Sequence, residues 1–183
     1  MTSGLLLVDL QNDYFPGGCM ELVGIQKAAA NAQRLLSHYR EKQWPVIHVQ
    51  HLAMRPGSGF FLPGTQGADI HVMLAPREEE DVVRKHYPNS FRETLLGDVL
   101  QQKHISRLVI CGAMSHMCID ATTRAAFDLG FDCTVAEDAC ATRDLSFGGR
   151  TIPATDVHGA FMAALSSPYA NVVSTRGILA DAI

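Results

Sequence analysis

The hydrophobic residues of the chain fall into short continuous runs that alternate with longer segments of helical spacing. Runs such as GLLLVDL and RLVICG are too short for a typical helix and are apolar on both faces, which is typical of strands buried inside a sheet. Six such runs predict strands, at residues 4–10, 44–50, 81–85, 107–112, 131–139 and 170–175.

Helices are predicted between these strands. Residues 25–43 combine helical spacing with good helix formers, and Ser90 followed by Glu93 is a capping-box pattern that predicts a helix start. Further helices are predicted after Gly112, at residues 154–168 and at the C-terminus. Alternating strands and helices favour right-handed βαβ crossovers and a parallel sheet covered on both faces. The predicted fold is therefore α/β: a Rossmann-like, three-layer α/β/α single domain over residues 1–183, with a central, mostly parallel six-stranded sheet.

Two segments interrupt this alternation. Residues 51–71 are rich in Gly and Pro, and so long a connection is usually functional or a lid. Phe60 and Phe61 within it are candidates for lining a pocket, and they fit a core or an interface equally well. Residues 141–153 are predicted to form a polar loop, in which Arg143 and Arg150 either anchor a substrate carboxylate or are solvated.

Composition and charge narrow the classes of function. The 183 residues are 47% hydrophobic and 19% charged, with a net charge of −4, which argues against nucleic acid as a partner. No apolar run is long enough to span a membrane, and the start of the chain lacks the basic region of a signal peptide. Five cysteines without a CxxC pair argue against a disulfide framework or a thiol redox protein, so we expect a cytoplasmic protein with free thiols.

Three reactive side chains follow predicted strands. Asp9 lies at the end of the first strand, Lys85 ends the third, and Cys118 follows the fourth near a predicted helix start. Taken singly, Asp9 fits a turn cap, Lys85 a solvated strand end and Cys118 a buried small hydrophobe. Because strand ends in such sheets share one edge, the three together predict a site in which Asp9 serves as the base for a cysteine nucleophile. The helix start and the Lys85 cation are expected to lower the pKa of the Cys118 thiol.

These residues carry a resemblance to the isochorismatase-like cysteine hydrolase superfamily, which includes nicotinamidases and N-carbamoylsarcosine amidohydrolases. Four segments resemble that family in the same order: LLLVDLQNDYF, VVRKHYPNSF, GAMSHMCIDATTRAAFDLG and EDACAT. The resemblance implies a catalytic triad of Asp9, Lys85 and Cys118. It also implies a cis peptide at Ala113–Met114 and an oxyanion site formed by the backbone N–H groups of Met114 and Cys118.

The resemblance also bears on the substrate and on metals. The substrate-binding candidates are Gln11, Phe15, His51, Phe60 and Ser115. Nicotinamidases of the superfamily bind a metal through an Asp-x-His pair, whereas this chain has HVQHLAM there, with no carboxylate. We therefore expect neither metal nor cofactor, although His48, His51, His71 and His86 could still form a site.

A complete triad implies hydrolysis of a C–N bond (amide, lactam or ureido) in a small molecule through a thioester. The alternatives are vinyl-ether hydrolysis of the isochorismatase type, a lyase using the same pocket, and a non-catalytic binding module. A homo-oligomer is expected by the same resemblance. The Cys118 thiol is expected to react fastest with iodoacetamide, and Cys19, Cys111, Cys133 and Cys140 to be ordinary buried thiols.

Overall fold

The computed structural model describes residues 2–181. The strands are β1 Thr2–Val8, β2 Val46–His51, β3 Asp81–Lys85, β4 Ile105–Ala113, β5 Asp132–Ala141, β6 Leu145–Phe147, β7 Arg150–Ile152 and β8 Asn171–Val173. The helices are α1 Ile25–Glu41, α2 Leu96–Gln102, α3 Asp120–Asp128, α4 Ala154–Leu165 and α5 Thr175–Asp181. None of the described helices is long and apolar enough to cross a membrane.

The central sheet has six strands in the order β3-β2-β1-β4-β5-β8. Every neighbouring pair is parallel, so the predicted α/β fold with a six-stranded parallel sheet is confirmed. The order reverses between β1 and β4, because the chain first adds strands on one side of β1 and then on the other. In an open α/β sheet, a ligand site is expected at the carboxyl ends of the strands beside such a reversal.

Side chains of the central strands alternate between two hydrophobic layers. Leu5 and Leu7 of β1 pack with the apolar face of α1, and α5 residues cover the same side. Leu6 and Val8 face the opposite layer, which is built from α2, α3 and α4. Because β1 is buried on both faces, its sequence is continuously apolar rather than alternating.

The helix predicted to start at Ser90 begins instead at Leu96, so the capping-box interpretation is wrong. The Ser90 hydroxyl lies 2.8 Å from the Thr122 hydroxyl, and Thr94 Oγ1 donates to the Ser90 carbonyl at 2.6 Å. Ser90 is fully buried and binds a distant partner instead of capping its own backbone. A tertiary hydrogen bond therefore overrides a local sequence pattern.

The segment predicted as a polar loop contains an antiparallel hairpin of β6 and β7, with Leu145 opposite Ile152. Gly148 and Gly149 form its turn, with φ of 58° and 76°. Positive φ at both central residues is the geometry that a two-residue hairpin turn requires. The hairpin side chains are mostly exposed, and Phe147 is 82% exposed.

We predict that Gly112→Ala destabilises the fold by about 2–4 kcal/mol. Gly112 lies in β4 with φ of 130°, and a Cβ there would collide with the backbone carbonyl of Val8 in β1. Urea unfolding measures the change. Gly97→Ala is the matched control, because open space surrounds Gly97 near the start of α2 and alanine should stabilise by about 0.4–1 kcal/mol. Equal stability of Gly112→Ala and the wild type would contradict the close β1–β4 contact.

Candidate active site

Asp9, Lys85 and Cys118 meet at the carboxyl edge of the sheet. Asp9 directly follows β1, Lys85 is the last residue of β3, and Cys118 lies in the turn after β4. Lys85 Nζ is 2.7 Å from Asp9 Oδ2 and 3.1 Å from Cys118 Sγ. Since β2 separates β3 from β1, the long lysine side chain is what allows the contact across the intervening strand. Asp9 and Lys85 are fully buried, and Cys118 is 4% exposed.

Two further acceptors surround the Lys85 ammonium. His51 Nδ1 lies 2.9 Å and the Tyr87 carbonyl oxygen 3.2 Å from Nζ. Burial by itself would lower the pKa of Lys85, but the Asp9 carboxylate and the Cys118 sulfur outweigh it, so this pKa is raised. Lys85 is therefore a buried cation whose charge is balanced locally by Asp9.

The two carboxylate oxygens of Asp9 have different surroundings. Oδ2 accepts the Lys85 hydrogen bond, whereas Oδ1 is buried and has no hydrogen-bond partner among residues 2–181. The Asp9 backbone is left-handed, with φ of 53°, and its N–H donates to the Val49 carbonyl at 3.0 Å. Aspartate tolerates this conformation better than most residues. The free oxygen leaves Asp9 able to accept a proton.

Cys118 lies in a π-helical turn, Ser115–Ile119, that links β4 to α3. Within this turn the Ile119 N–H donates to the Met114 carbonyl at 3.2 Å. Burial raises the pKa of the Cys118 thiol, the Asp9 charge raises it further, and the Lys85 cation offsets only part of this. The expectation of a thiol with a lowered pKa is therefore wrong for the resting site, because desolvation outweighs the cation.

The backbone before this turn departs from regular strand geometry at Gly112, which has φ of 130°. The Ala113–Met114 peptide bond is cis. No backbone carbonyl of the described residues accepts a hydrogen bond from the Met114 N–H. This N–H precedes the turn that carries Cys118.

Asp9, His51 and Cys118 offer ligand atoms that lie within 4.8 Å of one another, which is the spacing of a metal site. Lys85 Nζ contacts a side-chain atom of all three, so an ammonium fills the space that a metal ion would need. The donor set therefore fits a lysine cation and does not fit a metal as arranged.

The remaining histidines proposed for metal binding are engaged elsewhere. His48 Nε2 lies 2.9 Å from Glu80, the His71 ring stacks on Phe15, and His86 Nδ1 lies 2.8 Å from the Leu52 carbonyl. Each of these three histidines has a different partner, and none of them belongs to the one group of potential metal ligands found among residues 2–181.

Two of the predicted substrate-binding residues, Gln11 and Phe15, are used by the fold. Gln11 Nε2 donates to the carbonyls of His51 and Ala68, both at 2.8 Å, and its Oε1 accepts from the His51 N–H. Its amide therefore has no free donor for a ligand. Phe15 is 5% exposed, and its ring stacks on His71 with centroids 3.7 Å apart.

The other predicted binding residues are His51, Phe60 and Ser115. His51 contacts Lys85 as described above. Phe60 is partly buried and packs on Phe61, with ring centroids 4.9 Å apart. Ser115 is fully buried beside the cis peptide, and its hydroxyl lies 2.8 Å from His158 Nδ1.

Tyr14 is a residue of this site that sequence reasoning missed. It is 2% exposed, and its ring lies 4.6 Å from Phe61, which in turn lies 5.9 Å from His51. Burial and then the charges of Asp9 and Cys118 raise the pKa of the Tyr14 phenol. The signal was present in the quoted motif LLLVDLQNDYF, where an aromatic residue follows Asp9 by one short turn.

Asp13 fixes the long segment between β2 and β3 against this site. Its Oδ2 accepts from the Phe61 N–H at 2.6 Å, and its Oδ1 accepts from the Cys19 N–H at 3.3 Å. Gly67 lies so close to this carboxylate that a Cβ would collide with it. The aromatic residues of the segment are therefore anchored by a buried carboxylate.

We predict that His51 weakens the fold in acid. Burial, and then the Lys85 cation, lower the pKa of His51 to about 4, below the usual 6.5. Between pH 6.5 and about 4 the unfolded chain binds more protons at His51 than the folded chain does. The free energy of unfolding therefore decreases as the pH drops below about 6.5 and levels off below about 4. His51→Asn should remove about 3 kcal/mol of this dependence, measured by urea unfolding at several pH values.

Exposed His104→Asn controls for the loss of an imidazole as such. Superimposable pH dependences for the wild type and His51→Asn would contradict a neutral, buried His51.

We predict that iodoacetamide modifies Cys19 before Cys118 at pH 7. Cys19 is exposed, so the expectation that it is buried is wrong, whereas Cys118 is buried. The pKa of both thiols is raised, that of Cys19 by its contact with Asp13 and that of Cys118 chiefly by burial, so exposure decides the order. Time-resolved mass spectrometry of the alkylated peptides gives the order, and Cys19→Ser should remove the fast phase. Faster labelling of Cys118 would show that the resting site holds a thiolate.

Comparison with known proteins shows which family this chain belongs to. An isochorismatase domain matches residues 3–176. The uncharacterized isochorismatase family protein YddQ of Bacillus subtilis is 51% identical over 179 residues, which cover 98% of this chain and 99% of that protein. Streptothricin hydrolase of Streptomyces noursei is 32% identical over 163 residues, covering 89% of this chain and 56% of that protein.

A solved structure agrees with these relatives. The crystal structure of a protein from Oleispira antarctica, assigned as an isochorismatase hydrolase, superposes with a TM-score of 0.95 and 53% identity. The match covers 98% of this chain and 96% of that one. With its buried Asp9, Lys85 and Cys118 and a domain match over nearly its whole length, the chain belongs to the isochorismatase family of hydrolases.

Proposed function

We propose that this protein is a cysteine-dependent hydrolase that cleaves a C–N bond of a small amide, lactam or ureido compound through a thioester. The observation that carries the proposal is the position of Lys85 Nζ, within hydrogen-bonding distance of both Asp9 and Cys118 in a buried site. A thiol, a base with a free oxygen and a fixed cation are the groups that nucleophilic acyl transfer requires.

The first half of the proposed reaction forms the thioester. Asp9 accepts the thiol proton as Cys118 Sγ attacks the substrate carbonyl, so no free thiolate accumulates before substrate binds. The Lys85 ammonium stabilises the negative charge on sulfur during this transfer. As the tetrahedral intermediate collapses, the C–N bond breaks and Asp9 returns the proton to the leaving nitrogen.

The second half releases the acid. Asp9, again a carboxylate, accepts a proton from a water molecule, and the oxygen of that water attacks the thioester carbonyl. The C–S bond breaks, the proton on Asp9 returns to the sulfur, and the site regains its resting state. Asp9 therefore acts once as base and once as acid in each half, and neither half uses an external oxidant or reductant.

Two backbone N–H groups are proposed to bind the oxygen of the tetrahedral intermediate, those of Met114 and Cys118. The Met114 N–H has no backbone acceptor among the described residues, which leaves it available. Loss of one donor of this kind costs about 10²–10³ in rate in other hydrolases.

The surroundings of the triad favour a small substrate with an apolar part. Tyr14, Phe60 and Phe61 form a cluster of aromatic rings with centroids 4.6–6.0 Å apart. Arg143 is exposed. Its positive charge adds to burial in lowering the pKa of His116, and it also lowers the pKa of Tyr14, which the negative charges nearby raise. We propose that an anionic group of the substrate would lie toward Arg143.

Vinyl-ether hydrolysis of the isochorismatase type is the second candidate, because the matched domain bears that name. Such chemistry does not need a covalent bond to Cys118. The presence or absence of a thioester therefore separates the two reactions.

We also propose that no metal or cofactor takes part, that the protein acts in a reducing compartment such as the cytoplasm, and that it forms a homo-oligomer. The Lys85 ammonium supports the first proposal, since it fills the space between Asp9, His51 and Cys118. The five free cysteines fit the second. The third rests on the family resemblance, because a single exposed apolar side chain such as Phe147 is ordinary on a protein surface.

We predict that Cys118→Ala lowers turnover by at least about 10³-fold on a substrate found in a panel of small amides, ureas and lactams. Released ammonia or amine reports turnover, and mass spectrometry of quenched wild-type protein should show an acyl group on Cys118. Cys133→Ala, which removes another buried thiol, is the matched control and should retain turnover.

Full turnover by Cys118→Ala would refute the nucleophile. Hydrolysis of a small vinyl ether by both wild type and Cys118→Ala, with no turnover across the amide panel, would favour the vinyl-ether type of chemistry.

A further inference from the structure

The turn that carries Cys118 is held by side chains on consecutive residues. Ser115 Oγ lies 2.8 Å from His158 Nδ1 on α4, and His116 Nδ1 lies 2.6 Å from Thr142 Oγ1 just after β5. Ser115 is fully buried, so its hydroxyl depends on protein partners for its hydrogen bonds. The turn is thus bound to two separate elements outside its own strand and helix.

The chemistry of His158 suits it to accept the Ser115 hydrogen bond. Burial lowers the pKa of His158, so its ring is neutral at pH 7. A neutral imidazole with its proton on Nε2 offers the Nδ1 lone pair to the Ser115 hydroxyl. Glu137 Oε2 lies 4.0 Å from Nε2, on the side where a proton would be favoured.

The alternative acceptor for Ser115 is poorer. The Ala141 carbonyl lies 3.4 Å from Ser115 Oγ, at the long limit for an O–H donor. Without His158, the hydroxyl would have to move toward Ala141 to be satisfied. Because Ser115 directly follows Met114 in the chain, a shift of the serine backbone would also displace the Met114 N–H.

We infer that His158 is a positioning residue, which fixes the Met114 N–H and the Cys118 turn through its hydrogen bond to Ser115. The inference rests on the proposed function, since it assigns His158 a role in holding the proposed oxyanion donors. Donors of this kind act at 2.7–3.1 Å from the developing oxyanion, and a misplacement of about 1 Å can cost about 10²-fold in rate. His158 itself does not touch the reacting atoms in this arrangement.

The test uses the full chain and 4-nitrophenyl acetate as a probe. Asp9 accepts the thiol proton as Sγ of Cys118 bonds to the acetyl carbon, and the ester C–O bond breaks to release 4-nitrophenolate. The released nitrophenolate and the acetyl-enzyme mass are both measured. His158→Leu and Ser115→Ala should each lower the saturating acylation rate by about 10- to 100-fold, with the probe's half-saturation concentration changed less than about threefold. His158→Asn places an amide oxygen where Nδ1 lies, so it should restore most of the rate.

Coupling between the two residues gives a second readout. If the single bond carries the effect, the double variant Ser115→Ala/His158→Leu should be no slower than either single variant. His38→Leu is the matched control, because His38 is a half-buried histidine on α1 with no contact to the turn. Circular dichroism and urea unfolding establish that each variant is folded.

The outcomes separate the inference from the proposed function. Folded His158→Leu with an unchanged acylation rate overturns the positioning role, as does a loss that His158→Asn fails to restore. A lower melting temperature with unchanged rate constants shows that the bond serves stability alone and also overturns it. Cys118→Ala, run in parallel in a Cys19→Ser background that removes the exposed thiol, abolishes the saturable acetylation if the nucleophile is correct. If saturable acetylation persists, the proposed function fails instead.

Discussion

The Lys85 ammonium is the group on which the rest of the site depends. It is fully buried, and its acceptors come from four places: Asp9 after β1, His51 at the end of β2, Tyr87 after β3 and Cys118 after β4. A buried cation is tolerated only when it is paired and hydrogen-bonded. The lysine therefore requires the carboxyl ends of the central strands to converge, and that convergence creates the site.

Burial explains why the resting thiol is not activated by the neighbouring cation. Burial raises the pKa of the Cys118 thiol most, and because Asp9 neutralises Lys85, the pair as a whole offers little net positive field to offset it. A neutral resting thiol also resists adventitious oxidation, because the thiolate is the reactive form. In this arrangement proton transfer to Asp9 accompanies attack on the substrate rather than preceding it.

Supporting contacts hold these groups from outside. Gln11 ties the end of β2 to the segment before β3, and Asp13 ties the Phe61 backbone to the turn after β1. On the other side of the nucleophile, Ser115 and His116 bind α4 and the end of β5. Polar side chains that sequence reasoning assigned to a substrate, notably Gln11, thus serve to keep reactive groups in place.

The sequence by itself determined the architecture and the identity of the reactive groups. The apolar run before Asp9 is continuous because a strand covered on both faces must be apolar on both faces. Such a run can be read from neighbouring residues in the sequence alone. Asp9, Lys85 and Cys118 could be named because parallel strands deliver their carboxyl ends to one edge. The strand order, which puts β3 beyond β2 and leaves Lys85 to reach across it, was not predicted and came from the structure.

Only the tertiary structure decided which polar groups pair. Ser90 has a capping pattern but binds Thr122, and Ser115 binds His158, 43 residues away in sequence. The deep burial of Cys118 also depends on distant residues. So does the position of the Lys85 ammonium, which occupies the space between the potential metal ligands. Hydrogen-bond partners and desolvation are properties of the folded arrangement, since both depend on which remote groups exclude water from a side chain.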